Sequence, residues 1–126
     1  MIYLIWFLGI LLFLSAISFI FYLFYFQEIS RLEDIAREYP GYADVRIKLG
    51  RVFKERKNMG KAAKYFNEAL KIYPYYLEAY RELYEIYDFQ KDSVRSKEIL
   101  MKLLEFAKNQ QDNEMIRYAK DKLSSI

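Results

Sequence analysis

The sequence predicts an all-α protein in which an N-terminal transmembrane helix is followed by a short solenoid of helical hairpins. Three observations lead to this prediction: an uninterrupted apolar run at residues 2–26, a recurrence of similar residues 34 positions apart, and turn-forming residues between the recurring segments. The predicted segments are a transmembrane anchor at 1–26, a juxtamembrane helix at 27–41, a first repeat at 42–76, a degenerate second repeat at 77–110 and a C-terminal capping helix at 111–126.

The apolar run has the length and composition of a membrane span. The 20 basic and 17 acidic side chains all lie at or beyond Glu28, and the clearly polar residues of the run are Ser15 and Ser18. As a helix, the run would be roughly 37 Å long, enough to cross a hydrocarbon core of about 30 Å with some tilt. Aromatic residues that favour the membrane interface lie near both ends, at Tyr3, Trp6, Tyr22 and Tyr25.

Two other interpretations of the run fit less well. A cleaved signal peptide has a basic start and an apolar stretch of about 7–15 residues, whereas no basic residue precedes this run and it continues from Ser18 to Phe26. A buried helix that is apolar on every face needs a large surrounding protein, and the rest of this chain is too short to cover it.

The flanks of the run predict its orientation. Basic residues close to a span favour the cytoplasmic side, and Arg31, Arg37 and Arg46 all follow the run. We therefore expect a single-pass protein of the cell (inner, cytoplasmic) membrane whose C-terminal domain is cytoplasmic.

The rest of the chain has an internal period of 34 residues. This step links Leu49, Gly50, Phe53, Ala62, Phe66, Ala69 and Pro74 to Leu83, Tyr84, Tyr87, Ser96, Leu100, Leu103 and Lys108. Most pairs keep an apolar residue, whereas Gly50 is matched by the larger Tyr84 and Pro74 by Lys108. The same step taken backwards links Phe66, Ala69 and Pro74 to Leu32, Ile35 and Pro40.

The period and the residue types resemble the tetratricopeptide repeat, a helical hairpin whose first helix carries an aromatic, Leu-Gly and a second aromatic, and whose second helix carries small residues around an aromatic and ends before Pro. The first repeat carries Leu49, Gly50, Phe53, Ala62, Phe66, Ala69 and Pro74 and departs at Arg46, where an aromatic is usual. The second carries Tyr80, Leu83, Tyr84, Tyr87, Ser96 and Leu100 and departs at Leu103 and Lys108.

The resemblance implies stacked antiparallel hairpins. A hairpin leaves an apolar face uncovered, so about three units are needed for stability, and the segments 27–41 and 111–126 would supply half-units at the two ends. Turns are expected at Pro40-Gly41, Asn58-Met59-Gly60, Pro74, Asp92-Ser93 and 109–113. This gives six helices, including the anchor, and no strand. An ordinary helical bundle is the alternative, because any amphipathic helix places apolar residues at similar intervals.

The resemblance also implies a partner-binding groove on the first helix of each hairpin. The corresponding residues are Asp44, Ile47, Lys48, Arg51 and Lys54 in the first repeat and Glu78, Arg81, Glu82, Glu85 and Asp88 in the second. The first set is mainly basic and the second mainly acidic, which would select and orient a protein segment with charged ends. The alternative is that these side chains are solvated helix faces. Family members that grip a terminal carboxylate use Lys and Asn at positions where this chain has Ile47, Arg51 and Glu82, so we do not expect that activity.

The basic stretch from Arg46 to Lys71 has two further interpretations. It could lie on anionic lipid, or it could contact a polyanion such as RNA. No nucleic-acid-binding motif accompanies the charge, so we expect no nucleic acid partner.

Composition leaves little room for chemistry. The chain has no Cys and no His, which excludes disulfides, thiolate or imidazole metal sites, Cys nucleophiles and His general bases. No phosphate-binding loop or nucleophile elbow is present, so we expect neither an enzyme nor a cofactor or metal. The predicted function is a non-catalytic, membrane-anchored protein-interaction module. The alternative is a small structural accessory subunit of a larger membrane complex, held by its transmembrane helix.

Overall fold

A computed structural model describes all residues, 1–126. The chain forms six helices and no strand, which confirms the prediction of an all-α protein. The helices are α1 (Ile2–Glu38), α2 (Ala43–Glu55), α3 (Met59–Ile72), α4 (Leu77–Phe89), α5 (Ser93–Gln110) and α6 (Asn113–Ser124).

Helix α1 contains both the predicted anchor and the predicted juxtamembrane helix without a break. It is 37 residues long, roughly 55 Å. It is the one helix long and apolar enough to cross a membrane, and none of its apolar window is buried by the rest of the chain. The helix ends at Glu38 because Pro40 disfavours helical geometry at the preceding residue, and Tyr39 accordingly has φ −122° and ψ 75°.

The hairpin of α2 and α3 packs tightly around small residues. Ala62, Ala69 and Phe66 of α3 are fully buried, as is Leu49 of α2. Gly50 lies directly against the Phe66 ring, since a Cβ at this position would be 2.8 Å from the ring carbon Cζ. The small residues let the two helix backbones approach, and the large ones fill the space that remains.

The turns inside the hairpins repeat the same geometry at a spacing of 34 residues. Lys57 and Lys91 both have left-handed backbone angles, with φ 62° and 60°. After each of them, Asn58 or Asp92 caps the next helix through its side chain. The backbone amides of Asn58 and Asp92 donate to the backbone carbonyls of Phe53 and Tyr87, respectively, each at 2.9 Å. The repeat therefore extends from the residue pattern to the backbone.

The connections between hairpins also repeat. Tyr73 ends α3 with φ −137° and ψ 92°, close to the values at Tyr39, and Pro follows each of them. Position 108 carries Lys where the pattern has Pro, and here the helix does not stop. Helix α5 instead continues to Gln110 and ends at Gln111, which has φ 57°. We call α2–α6 the domain. The single missing proline thus explains why α5 is the longest helix of the domain.

The buried side chains form one continuous core from Leu32 in α1 to Ala119 in α6. Pairs of contacts fix the direction of the helices. Phe53 meets Tyr65 and Arg46 meets Glu68, so α2 and α3 are antiparallel. Arg51 meets Glu82 and Lys54 meets Glu85, so α2 and α4 are parallel.

The domain therefore has two ends. We call the end with the turns at 56–58 and 90–92 the proximal end, because it lies beside Tyr25 of α1. The opposite, distal end holds the turns at 39–42, 73–76 and 111–112, the last two joined by a hydrogen bond of 2.9 Å from the Gln110 side chain to the Tyr75 carbonyl.

Candidate functional site

The ten residues predicted to line a groove all lie on α2 and α4, which run side by side. Nine of them have side chains at or partly at the surface. Ile47 is the exception: it is 2% exposed and belongs to the core. The structure therefore places Ile47 in the core and not on the groove surface, because this apolar side chain lies one helical turn before the buried Gly50 and is covered with it.

The basic and acidic sets are joined by ion pairs between the two helices. The Lys54 ammonium lies 2.6 Å from Glu82 and also contacts Glu85. Arg51 adds a longer contact of 3.7 Å to the other carboxylate oxygen of Glu82. Glu82 lies between the two cations with its side chain 15% exposed. The positive charges of Lys54 and Arg51 therefore balance the negative charge of its carboxylate.

The network holds Lys54 in its charged form. Partial burial acts to lower the pKa of Lys54, but the hydrogen bonds and charges of Glu82 and Glu85 outweigh it, and the net effect raises the pKa above its ordinary value. A catalytic lysine needs the opposite shift, because the neutral amine is the nucleophile. This arrangement therefore favours a structural role for Lys54.

The other predicted groove residues are less constrained. Glu78 and Arg81 pair with each other at 2.6 Å along α4. Asp44, Lys48 and Asp88 are exposed, and none of them forms an ion pair within the chain. These three are the groove side chains whose charges remain available to another molecule.

Arg46 takes a role that its place in the pattern did not predict. Its side chain is 14% exposed and lies 3.5 Å from Glu68 of α3. It also donates to the carbonyl of Ala36 at 3.4 Å, which ties α2 to α1. The long apolar stem fills space that an aromatic ring would occupy, while the guanidinium finds its partners at the edge of the core. An Arg at an aromatic position is the only sequence signal of this contact.

A second cluster joins α1 to the domain and was not foreseen from the sequence. The Tyr25 hydroxyl donates to the carbonyl of Val52 at 2.5 Å, and the Arg56 guanidinium lies 3.1 Å from the centre of the Tyr25 ring. Further along α1, Tyr65 of α3 donates to Glu33 at 3.1 Å. Burial, followed by Glu33, raises the pKa of Tyr65 to about 12.

No three acidic side chains converge in a way that could hold a metal ion. No protein-family model matches the chain, and no curated protein matches it.

Proposed function

We propose that this protein is a membrane-anchored, non-catalytic docking module built from tetratricopeptide-like hairpins. The observation that supports this proposal most strongly is the 34-residue repetition of both residues and backbone. Lys57 and Lys91 share left-handed angles, Tyr39 and Tyr73 share extended ones, and each set lies at equivalent points of successive hairpins. Stacked hairpins of one period produce an extended surface suited to binding a segment of another protein.

The anchor in this proposal is the first part of α1. Its apolar window is wholly uncovered by the domain, and an exposed apolar surface of this size needs lipid or another protein around it. Arg31, Arg37 and Arg46 follow it, which supports a single-pass orientation with the domain in the cytoplasm.

The docking surface in this proposal is the face shared by α2 and α4. The ion pairs of Lys54 with Glu82 and Glu85 fasten the two helices together. A partner segment would then be recognised by the charges that remain exposed, those of Lys48, Asp44 and Asp88. This revises the expected recognition, since fewer charges are available than the sequence predicted.

Site-specific crosslinking in native membranes tests this proposal. A photoreactive amino acid is placed at Lys48 or Asp88 on the proposed face, and at Lys64 or Lys97 on α3 and α5 as matched exposed controls. We expect the same partner protein, identified by mass spectrometry, to be crosslinked from both groove positions and from neither control. Crosslinks from the control positions alone would contradict the assignment of the docking face.

The alternative of an accessory subunit is favoured by one observation on α1. Beyond its chain neighbours and the backbone of its own helix, Gly9 has no atom within 4 Å of where its Cβ would be. Ile5, Trp6, Ile10 and Phe13 surround it to form an open apolar groove. A small residue in such a groove permits close approach of a second transmembrane helix. Ser15 would add little to that contact, because its hydroxyl already donates to the Leu12 carbonyl at 2.8 Å.

Exchanging the span separates the two functions. Residues 2–24 are replaced by an unrelated apolar helix, and Tyr25 is kept because it contacts the domain. A docking module keeps its crosslink from Lys48 after this exchange. An accessory subunit is released from its complex, which would be seen as a loss of co-purifying membrane proteins.

A further inference from the structure

The first proximal turn, at residues 56–58, lies beside the end of the apolar run. Tyr25 precedes the last apolar residue of that run, Phe26, and its hydroxyl is bound to Val52 near the end of α2. Arg56, immediately after α2, lies on the Tyr25 ring. When α1 spans a bilayer, Tyr25 lies in the interfacial region, and Arg56 must lie at the same depth.

The proximal end is basic, and its charges have no acidic partner within the chain. Arg56, Lys57 and Lys61 flank the first turn, and Lys91 occupies the equivalent place in the second. All four are exposed, and none forms an ion pair within the chain. The acidic residues closest to these turns in the sequence are Glu55, Asp88 and Asp92. Asp92 is occupied in capping α5 and pairing with Arg95, and Glu28 of α1 lies one helical turn after Tyr25.

The distal end has no basic residue within its three turns, and the basic residues within three positions of them are Arg37, Lys71 and Lys108 in the last turns of α1, α3 and α5. The comparison is sharpest at the three non-glycine residues with left-handed angles. Two of them, Lys57 and Lys91, lie at the proximal end, and the third, Gln111, lies at the distal end. Gly or Asn is favoured in this conformation, so geometry does not explain the two lysines.

The second proximal turn also exposes apolar side chains. Phe89 and Val94 stand on either side of Lys91 and are 62% and 72% exposed. Basic residues interleaved with exposed apolar ones are typical of surfaces that lie in the headgroup region, where the charges meet phosphates and the apolar groups reach the acyl boundary.

We propose that the two proximal turns bind anionic phospholipid headgroups of the leaflet from which α1 emerges, through Arg56, Lys57, Lys61 and Lys91, with Phe89 and Val94 entering the interface. This inference rests on the proposed membrane-spanning role of α1. The bilayer then holds the domain at two points, by α1 and by its own proximal end.

Fluorescence quenching in lipid nanodiscs tests this proposal with the full chain. Because the chain has no Cys, a fluorophore can be attached at Gln90→Cys near the second proximal turn, or at Asn109→Cys near the distal end as a control. The quencher is a lipid that carries a nitroxide on its headgroup, in discs of phosphatidylcholine with or without phosphatidylglycerol. We expect quenching at position 90 in discs with phosphatidylglycerol and none at position 109.

Charge reversal supplies the second comparison. Lys57→Glu with Lys91→Glu should abolish quenching at position 90, whereas Lys102→Glu with Lys108→Glu, which changes the net charge equally on α5, should preserve it. Equal quenching at positions 90 and 109, or quenching that is indifferent to phosphatidylglycerol, would overturn the proposal and leave the basic turns to another anionic partner.

A third label separates this proposal from the one on which it rests. A fluorophore at Leu12→Cys, midway along the apolar run, should be quenched by a nitroxide on the lipid acyl chain. Loss of this signal would refute the membrane-spanning role of α1. Quenching at position 12 without quenching at position 90 would refute only the headgroup contact.

Discussion

Gly50 of α2 lies against the ring of Phe66 in α3, so closely that a methyl group at this position would be 2.8 Å from the ring carbon Cζ. The ring is fully buried and has no room to move away. We expect Gly50→Ala to lower the free energy of unfolding by about 1–3 kcal/mol through overpacking, as measured by chemical denaturation followed by circular dichroism.

Gly60 provides the matched control for that substitution. It lies in α3, and nothing stands within 4 Å of where its Cβ would be. Gly60→Ala should therefore not destabilise the domain. Because Gly60 is the second residue of α3, the gain should be smaller than the roughly 0.5–1 kcal/mol that helix propensity gives at an interior position. If both substitutions change stability in the same direction, the close packing at Gly50 is not what governs the hairpin.

Removing the ammonium of Lys54 tests the ion pairs between α2 and α4. Lys54→Met keeps an apolar side chain but leaves Glu82 and Glu85 close together with only Arg51 nearby. Because Glu82 is largely shielded from water, we expect a loss of about 1–3 kcal/mol in the free energy of unfolding.

The pair of Arg37 with Asp34 is the control for the network, since both side chains are well exposed. Arg37→Met should cost no more than about 0.5 kcal/mol. Equal losses for the two variants in denaturant titrations would show that the network adds nothing beyond an ordinary surface pair.

The raised pKa of the Tyr65 hydroxyl predicts that the folded protein loses stability at alkaline pH. In the unfolded chain this group releases its proton near its ordinary pKa of about 10, whereas burial and Glu33 raise the pKa of Tyr65 to about 12 in the folded protein. The resulting stabilisation is fully present below pH 10 and disappears as the pH rises to about 12, because the unfolded state alone releases the proton in that window.

Tyr65→Phe should therefore lose less stability than the original chain between pH 10 and pH 12, whatever its stability at neutral pH. Denaturant titrations at several pH values measure this difference, with the exposed Tyr42→Phe as control for the loss of a phenol. An identical alkaline loss in the original chain and in Tyr65→Phe would be evidence against this account.

Tyr25→Phe should loosen the joint between α1 and the domain. It removes the hydrogen bond to the Val52 carbonyl but keeps the ring under Arg56, so the expected cost is about 0.5–1.5 kcal/mol. Hydrogen exchange of residues 52–58 should accelerate accordingly in nanodiscs. The control is Tyr22→Phe, which changes an exposed tyrosine one turn earlier and should leave this exchange unaltered. Faster exchange in both variants would mean that the effect arises from the apolar run and not from the contact of Tyr25 with Val52.

The helices and turns of this protein were largely predictable because local chemistry determines them. Pro40 and Pro74 end helices, and Asn58 and Asp92 begin them, through effects that act within a few residues. The same local effect is seen in reverse at Lys108, where the pattern has proline: without the proline, α5 continues to Gln110.

The candidate site was less predictable, because its contacts depend on how helices are placed relative to one another. The charge of Lys54 was evident in the sequence, but its pairing with Glu82 requires α2 and α4 to lie parallel in one register. Ile47 was placed in the groove by analogy with the repeat, whereas its apolar side chain gains more from burial. The contact of Arg56 with Tyr25 crosses 31 positions and has no local signature.

The absence of any break in α1 between the apolar run and the core has a mechanical consequence. A flexible tether would let the domain explore a volume set by its length. Here residues 27–38 of α1, roughly 18 Å of helix, instead pack along the domain through the buried Leu32 and Ala36. In the proposed membrane arrangement, this packing fixes both the height of the α2–α4 face relative to the bilayer and the direction in which the face points. In the proposed arrangement, a binding partner would be met within a thin layer at the membrane, at a high effective concentration for membrane-bound ligands and a low one for freely diffusing ones.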